Sequence, residues 1–124
     1  MVSRMDIRSE TTAAYKILAP SWWNSAFLFA SPHSGRDYSS TFKGQSILDP
    51  LTLRSSEDAY VDQLIEDIPE FGAPVILAHA PRAFVDFNRS ADELDPAIVN
   101  GAQSRGQNPR ISSGLGVIPR VVAN

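Results

Sequence analysis

Cysteine is absent from this chain of 124 residues. That excludes disulfide scaffolds and thiolate metal sites, so any bound metal must be held by histidine and carboxylates. The lack of thiols suits a cytoplasmic location, where disulfides are rare. A basic excess is missing too: the formal net charge is −3, which argues against nucleic acid as a partner. No apolar run approaches the roughly 20 residues of a membrane span, so no membrane partner is expected. The start, Met1-Val2-Ser3-Arg4-Met5-Asp6, has no apolar signal core. Repeats and low-complexity tracts are absent as well. What remains is ordinary soluble composition, 43% hydrophobic and 20% charged, enough for one domain with one core.

The run Ala26-Phe27-Leu28-Phe29-Ala30 reads as a buried strand leading into Ser31-Pro32-His33-Ser34-Gly35. Open α/β sheets place ligands at strand C-termini, and His33 stands at one. The plain alternative is a loop histidine bonded to backbone. Residues 1–13 are polar and read as a lead-in. Tyr15-Lys16-Ile17-Leu18 reads as a short edge strand stopped by Pro20. Residues 36–54 read as loop with at most one helical turn. Ser55-Ser56-Glu57-Asp58 has the capping-box pattern and predicts a helix running to Ile68, ended by Pro69 and Gly72. Strands are expected over 74–78, 83–87 and 114–122, with a long polar excursion over 90–113 holding at most one short helix near 92–99. Such an order predicts an α/β fold with a mixed-direction sheet. One helix cannot cover both faces of that sheet, so residues 1–124 read as a single but incomplete domain.

Two constellations carry chemistry. In the first, His33 faces the acids Glu57 and Asp58 if the helix N-terminus meets the strand end. Imidazole plus carboxylate is ordinary zinc ligation, although Asp58 also fits as a helix-cap acid alone. In the second, Arg82-Ala83-Phe84-Val85-Asp86-Phe87-Asn88-Arg89 sets two guanidiniums and an amide around an acid. Arginine recognises carboxylates bidentately, and asparagine adds a directional donor and acceptor. A surface ion pair is the bland reading. Asp86, however, alternates with Phe84 and Phe87, so it must be buried and satisfied or line a pocket. His79 reads as a loop or core residue. Gly114-x-Gly116 is too short for a phosphate fingerprint and reads as a place of close backbone contact.

Taken in order, Pro32-His33-Ser34-Gly35, Leu53 through Leu64, Gly72 through Val75, Arg82 with Val85 through Arg89, and Gly114 through Arg120 resemble the N-formylglutamate amidohydrolase family. The resemblance spans most of residues 15–121. It implies the N-terminal part of a mixed-sheet phosphorylase/hydrolase-like fold, similar to zinc carboxypeptidases. It implies a metal-dependent hydrolase, with Zn²⁺ or another divalent ion, that cleaves N-formyl-L-glutamate to formate and L-glutamate in histidine degradation. By position, His33 and Asp58 correspond to metal ligands, with Glu57 as the alternative to Asp58. Asn88 and Arg89 correspond to a clamp on a substrate carboxylate, and Arg82 to an assisting group on a carboxylate or on the amide oxygen. The partner is then a small N-acyl amino acid.

Family members are longer, and their second metal histidine and acidic general base fall downstream of the matched region. The chain is therefore expected to be an N-terminal portion, inactive alone and holding metal weakly or not at all. A non-catalytic domain that keeps only the anion clamp is the competing reading, and a structural fragment without its own function is a third.

Overall fold

The computed structural model describes residues 13–103 and 108–122. The polar lead-in lies, apart from its last residue, outside the described residues. Three strands form one sheet in the order β1-β3-β2: β1 is Tyr15–Leu18, β2 is Phe29–Ser31 and β3 is Val75–Ala78. Their sequences explain the arrangement. The run Val75-Ile76-Leu77-Ala78 is apolar on both faces, as a strand flanked by neighbours on both sides requires, and three of its four residues are buried. It pairs antiparallel with β1, Tyr15 opposite Ala78, and parallel with β2, Phe29 opposite Val75. The sheet is thus mixed, and β1 is an edge strand as expected. Around β3 the buried apolar side chains are Leu53, Ala73, Val75, Leu77, Ala78 and Ala83.

Parallel pairing of β2 with β3 demands a long crossover, and residues 32–74 supply it. This segment holds three short helices: α1 over Ser40–Gln45, α2 over Pro50–Arg54 and α3 over Val61–Ile65, followed by a 3₁₀ turn at Ile68–Phe71. The first two replace the loop expected over 36–54. Ser39 caps α1 by accepting from the Phe42 N–H, and Asp49 caps α2 by accepting from the Leu51 and Thr52 N–H groups. Pro50, a breaker in a helix interior, here occupies the first turn, where its missing N–H costs nothing.

The helix expected from Ser55 starts instead at Val61. A capping box would need the Ser55 hydroxyl to accept from the Asp58 N–H. That N–H goes to the His33 carbonyl at 3.0 Å, and the Ser55 hydroxyl donates to the Thr52 carbonyl at 2.6 Å, closing α2. Glu57 and Asp58 therefore sit in the link between two helices. Tyr60, at the start of α3, takes the left-handed conformation with φ 65°. The Arg36 guanidinium lies over its ring at 5.6 Å from the ring centre and bonds Asp62 in the first turn of the helix.

Strands over 83–87 and 114–122 do not form. Residues 81–85 close as a helical turn, with the Val85 N–H bonded to the Pro81 carbonyl, and Phe84 and Phe87 are both exposed. The later segment folds back on α4, Pro109–Ser112, through Gly114, whose carbonyl accepts from the Arg120 and Val121 N–H groups. Between them, the region near 92–99 makes turns rather than a helix. Gly116 lies where a Cβ would come within 2.5 Å of the Glu93 carbonyl oxygen, the close backbone contact its sequence suggested.

Candidate metal and anion site

Residue 33 is held from three sides. Flanking it in the chain, the buried Ser31 and Ser34 hydroxyls share a 2.6 Å hydrogen bond across the turn after β2. Behind it, Gly35 presses against the loop following β3. A Cβ on residue 35 would lie 2.1 Å from the Ala80 carbonyl oxygen, so only glycine permits the approach. Beside it, the Asp58 N–H donates to the His33 carbonyl, which ties the α2–α3 link to the end of the strand.

The ring of His33, itself buried, lies between two carboxylates. Its Nε2 is 2.7 Å from Asp86 Oδ1 and its Nδ1 is 3.4 Å from Asp58 Oδ2. The first contact is a hydrogen bond, which we assign as Nε2–H donating to the carboxylate. With the proton there, Nδ1 presents a lone pair toward a carboxylate oxygen, an arrangement that a cation between them would satisfy. The spacing suits one. Ligands each about 2.0–2.2 Å from a tetrahedral zinc stand roughly 3.4 Å apart. The carboxylate behind the imidazole is the partner that metal-binding histidines use to fix tautomer and ring orientation. Asp58 is half open, its side chain 52% exposed, whereas Asp86 is 3% exposed as a residue. The donor set therefore fits one divalent ion through two ligands. No group of three or more His, Asp or Glu side chains that could hold a metal occurs among the described residues.

Glu57 does not share this position. Its side chain, only 2% exposed, accepts from the Tyr38 hydroxyl at 2.6 Å and from Arg54 Nε at 2.9 Å. Burial, reinforced by the bond to Glu57, pushes the Tyr38 hydroxyl far above its ordinary pKa. This trio anchors the α2–α3 link next to Asp58.

Asp86 collects the second constellation. Besides His33 it accepts from the Asn88 backbone N–H at 2.9 Å and from Arg82 Nε at 3.3 Å, with Arg89 Nη2 at 3.8 Å. Burial opposes its charge, but the His33 hydrogen bond, the Asn88 N–H and the nearby positive groups prevail. Its carboxyl is held below the ordinary carboxylate value. Arg82 and Asp86 line a cavity of about 270 Å³ together with Ser56 and the apolar Ala83, Leu115, Pro119, Val121 and Val122. Arg89 points elsewhere with most of its fork, Nε to the Leu115 carbonyl at 3.0 Å and Nη1 to the Asn88 carbonyl at 2.8 Å. The Asn88 residue is exposed.

The structure thus brings His33, Asp58, Asp86 and Arg82 into one neighbourhood and sets Arg89 behind it. His79 lines a separate cavity with Arg36, Asp37 and Asp62. The link between Asp86 and His33 was not read from the sequence, although an acid between two phenylalanines signalled a buried partner.

The family description N-formylglutamate amidohydrolase matches residues 25–124. A crystal structure of N-formylglutamate amidohydrolase from Ralstonia eutropha JMP134 superposes with TM-score 0.78 at 31% identity, covering 90% of this chain. The chain spans 40% of that protein's length. A search of curated proteins found no match. The family match over residues 25–124 and this structural likeness establish that the chain belongs to the N-formylglutamate amidohydrolase family.

Proposed function

We propose that the chain carries the metal half-site and an anion-binding arm of an amidohydrolase that splits N-formyl-L-glutamate into formate and L-glutamate. The supporting observation is the His33 ring, with Asp58 Oδ2 3.4 Å from one nitrogen and the buried Asp86 2.7 Å from the other. His33 and Asp58 would hold Zn²⁺ or another divalent ion. The chemistry such an ion supplies is polarisation of an amide carbonyl and acidification of water. Asp86 keeps the ring proton on Nε2 and so leaves Nδ1 basic. Arg82, bonded to Asp86 only through Nε, keeps the rest of its guanidinium for an amide oxygen or a carboxylate in the adjoining cavity. The exposed Asn88 side chain and Arg89 Nη2, the one guanidinium nitrogen not given to a backbone carbonyl, are the groups left for a second carboxylate, as a doubly anionic substrate requires. The fold in this reading is the N-terminal part of the zinc-carboxypeptidase-like architecture.

Catalytic zinc takes three protein ligands and a water, and this span offers two. On that ground the 124-residue chain by itself holds metal weakly and releases no formate. A chimera tests the proposal: this chain replaces the matching segment of the Ralstonia eutropha enzyme, and formate release from N-formyl-L-glutamate is measured with Zn²⁺. Turnover by the chimera, abolished by His33→Ala and by Asp58→Ala, is the expected result. Undiminished turnover in both variants would remove these residues from the metal site and favour a non-catalytic anion-binding role.

A further inference from the structure

Ser56 has a buried hydroxyl with no hydrogen-bond partner among the described residues. Its neighbour makes the contrast plain, because the Ser55 hydroxyl is satisfied by the Thr52 carbonyl at 2.6 Å. A buried hydroxyl without a partner forfeits its hydration and gains nothing, so such groups are rare unless something else engages them. The surroundings indicate what does. Ser56 lines the same cavity of about 270 Å³ as Arg82 and Asp86, and the other walls, Ala83, Leu115, Pro119, Val121 and Val122, offer apolar side chains. Both Asp86 oxygens are already engaged, Oδ1 by His33 and the Asn88 N–H and Oδ2 by Arg82. The Arg82 terminal amines have no hydrogen-bond partner among the described residues; only its Nε is engaged. A hydroxyl without a partner and the open end of a guanidinium, on two residues that line one small space with apolar walls, match an anion with planar oxygens. Two residues further along, Asp58 meets His33, so a ligand held here lies beside the metal half-site.

We propose that Ser56 is a substrate-binding residue. It donates its hydroxyl hydrogen to a carboxylate oxygen of the ligand while the Arg82 guanidinium holds the same group. This rests on the amidohydrolase reading for the identity of the substrate and adds a donor for its carboxylate. It also explains the position of a hydroxyl that contributes nothing to the fold.

The test is a calorimetric titration of this chain with N-formyl-L-glutamate, without metal, for wild type, Ser56→Ala and Ser56→Thr. We expect Ser56→Ala to weaken binding about tenfold, the loss of one hydrogen bond to a charged group, and Ser56→Thr to retain affinity. Because the hydroxyl has no partner to lose, Ser56→Ala should leave the thermal midpoint unchanged or raise it. That combination separates a binding role from a structural one. The dimethyl ester of the ligand should bind no better than Ser56→Ala binds the diacid; equal binding of ester and diacid by wild type overturns the carboxylate assignment. Wild-type affinity in Ser56→Ala, a lowered midpoint, or no saturable binding by wild type overturns the inference. Zinc binding that depends on His33 and Asp58, measured in parallel, decides the amidohydrolase reading independently.

Discussion

Asp86 carries a charge where burial disfavours one, and three donors make the charge tolerable. Its pH dependence follows from the sign of that balance. The folded carboxyl is held below its ordinary value, so Asp86 binds its proton less readily folded than unfolded. Its contribution to stability is present above the ordinary carboxylate value near pH 4 and is lost as pH falls through the lower folded value. Urea midpoints measured between about pH 6 and pH 2 should fall at the acid end in wild type. Asp86→Asn should be less stable at neutral pH and show a shallower acid fall. The same substitution should weaken zinc binding about 10–100-fold, the usual cost of losing the partner behind a ligating histidine; competition with a chromophoric chelator measures it. Arg89→Lys is not conservative here. A lysine cannot reach the Leu115 and Asn88 carbonyls together, so we expect about 1–2 kcal/mol of destabilisation by chemical denaturation.

Elements position these residues through contacts that tolerate little change. The turn after β2 is pinned to the loop after β3 at Gly35, and the Asp37 N–H bonds the His79 carbonyl at 3.0 Å. Gly35→Ala places a Cβ against immovable backbone, so we expect about 3 kcal/mol of destabilisation together with loss of zinc affinity, because His33 moves with the turn. Unchanged zinc affinity in a folded Gly35→Ala variant would show that the turn does not set the ligand geometry. The α2–α3 link offers a gentler probe. Tyr38→Phe removes the hydroxyl that Glu57 accepts and keeps the ring stacked on Phe42. It should loosen Asp58 and lower zinc affinity several-fold while leaving the far-ultraviolet circular dichroism unchanged.

On the scale of the whole molecule, the sheet is small and its flanks are open. A groove of about 860 Å³ runs between Phe42, Leu53, Phe84, Ile98 and Val121, and Trp22, Trp23 and Ile47 stand exposed. No helix among the described residues is long and apolar enough to cross a membrane. An ion that binds only the folded chain adds stability by mass action, about 2.7 kcal/mol at a hundred times its Kd. Zinc should therefore raise the thermal midpoint of this chain in a concentration-dependent way, and His33→Ala or Asp58→Ala should abolish the rise. A midpoint insensitive to zinc in wild type would count against the half-site.

Much of this was legible along the chain. The apolar runs marked where β1, β2 and β3 lie, but burial followed only in β3. The run Ala26 to Ala30, expected as a buried strand, is exposed and pairs only over Phe29–Ser31, because β2 lies at the sheet edge with no layer among the described residues packed over Phe27, Leu28 and Phe29. Pro32-His33-Ser34-Gly35 announced a strand-end histidine in a tight approach, and an acid between two phenylalanines announced a buried charge. Other features depend on partners distant in sequence. Ser55 has a capping pattern, yet the N–H it would cap is taken by the His33 carbonyl. Residues 83–87 alternate like a strand, yet Asp86 turns inward to bond His33, and the Arg82–Asp86 pair closes on a helical turn. The sequence by itself determined which groups carry charge, which runs pair as strands around β3 and where the chain can turn sharply. Only the tertiary structure decided which carboxylate meets which imidazole nitrogen and which hydroxyl is left without a partner. Those outcomes depend on competition among donors and acceptors far apart in the chain, and that competition is settled only when the backbone has folded.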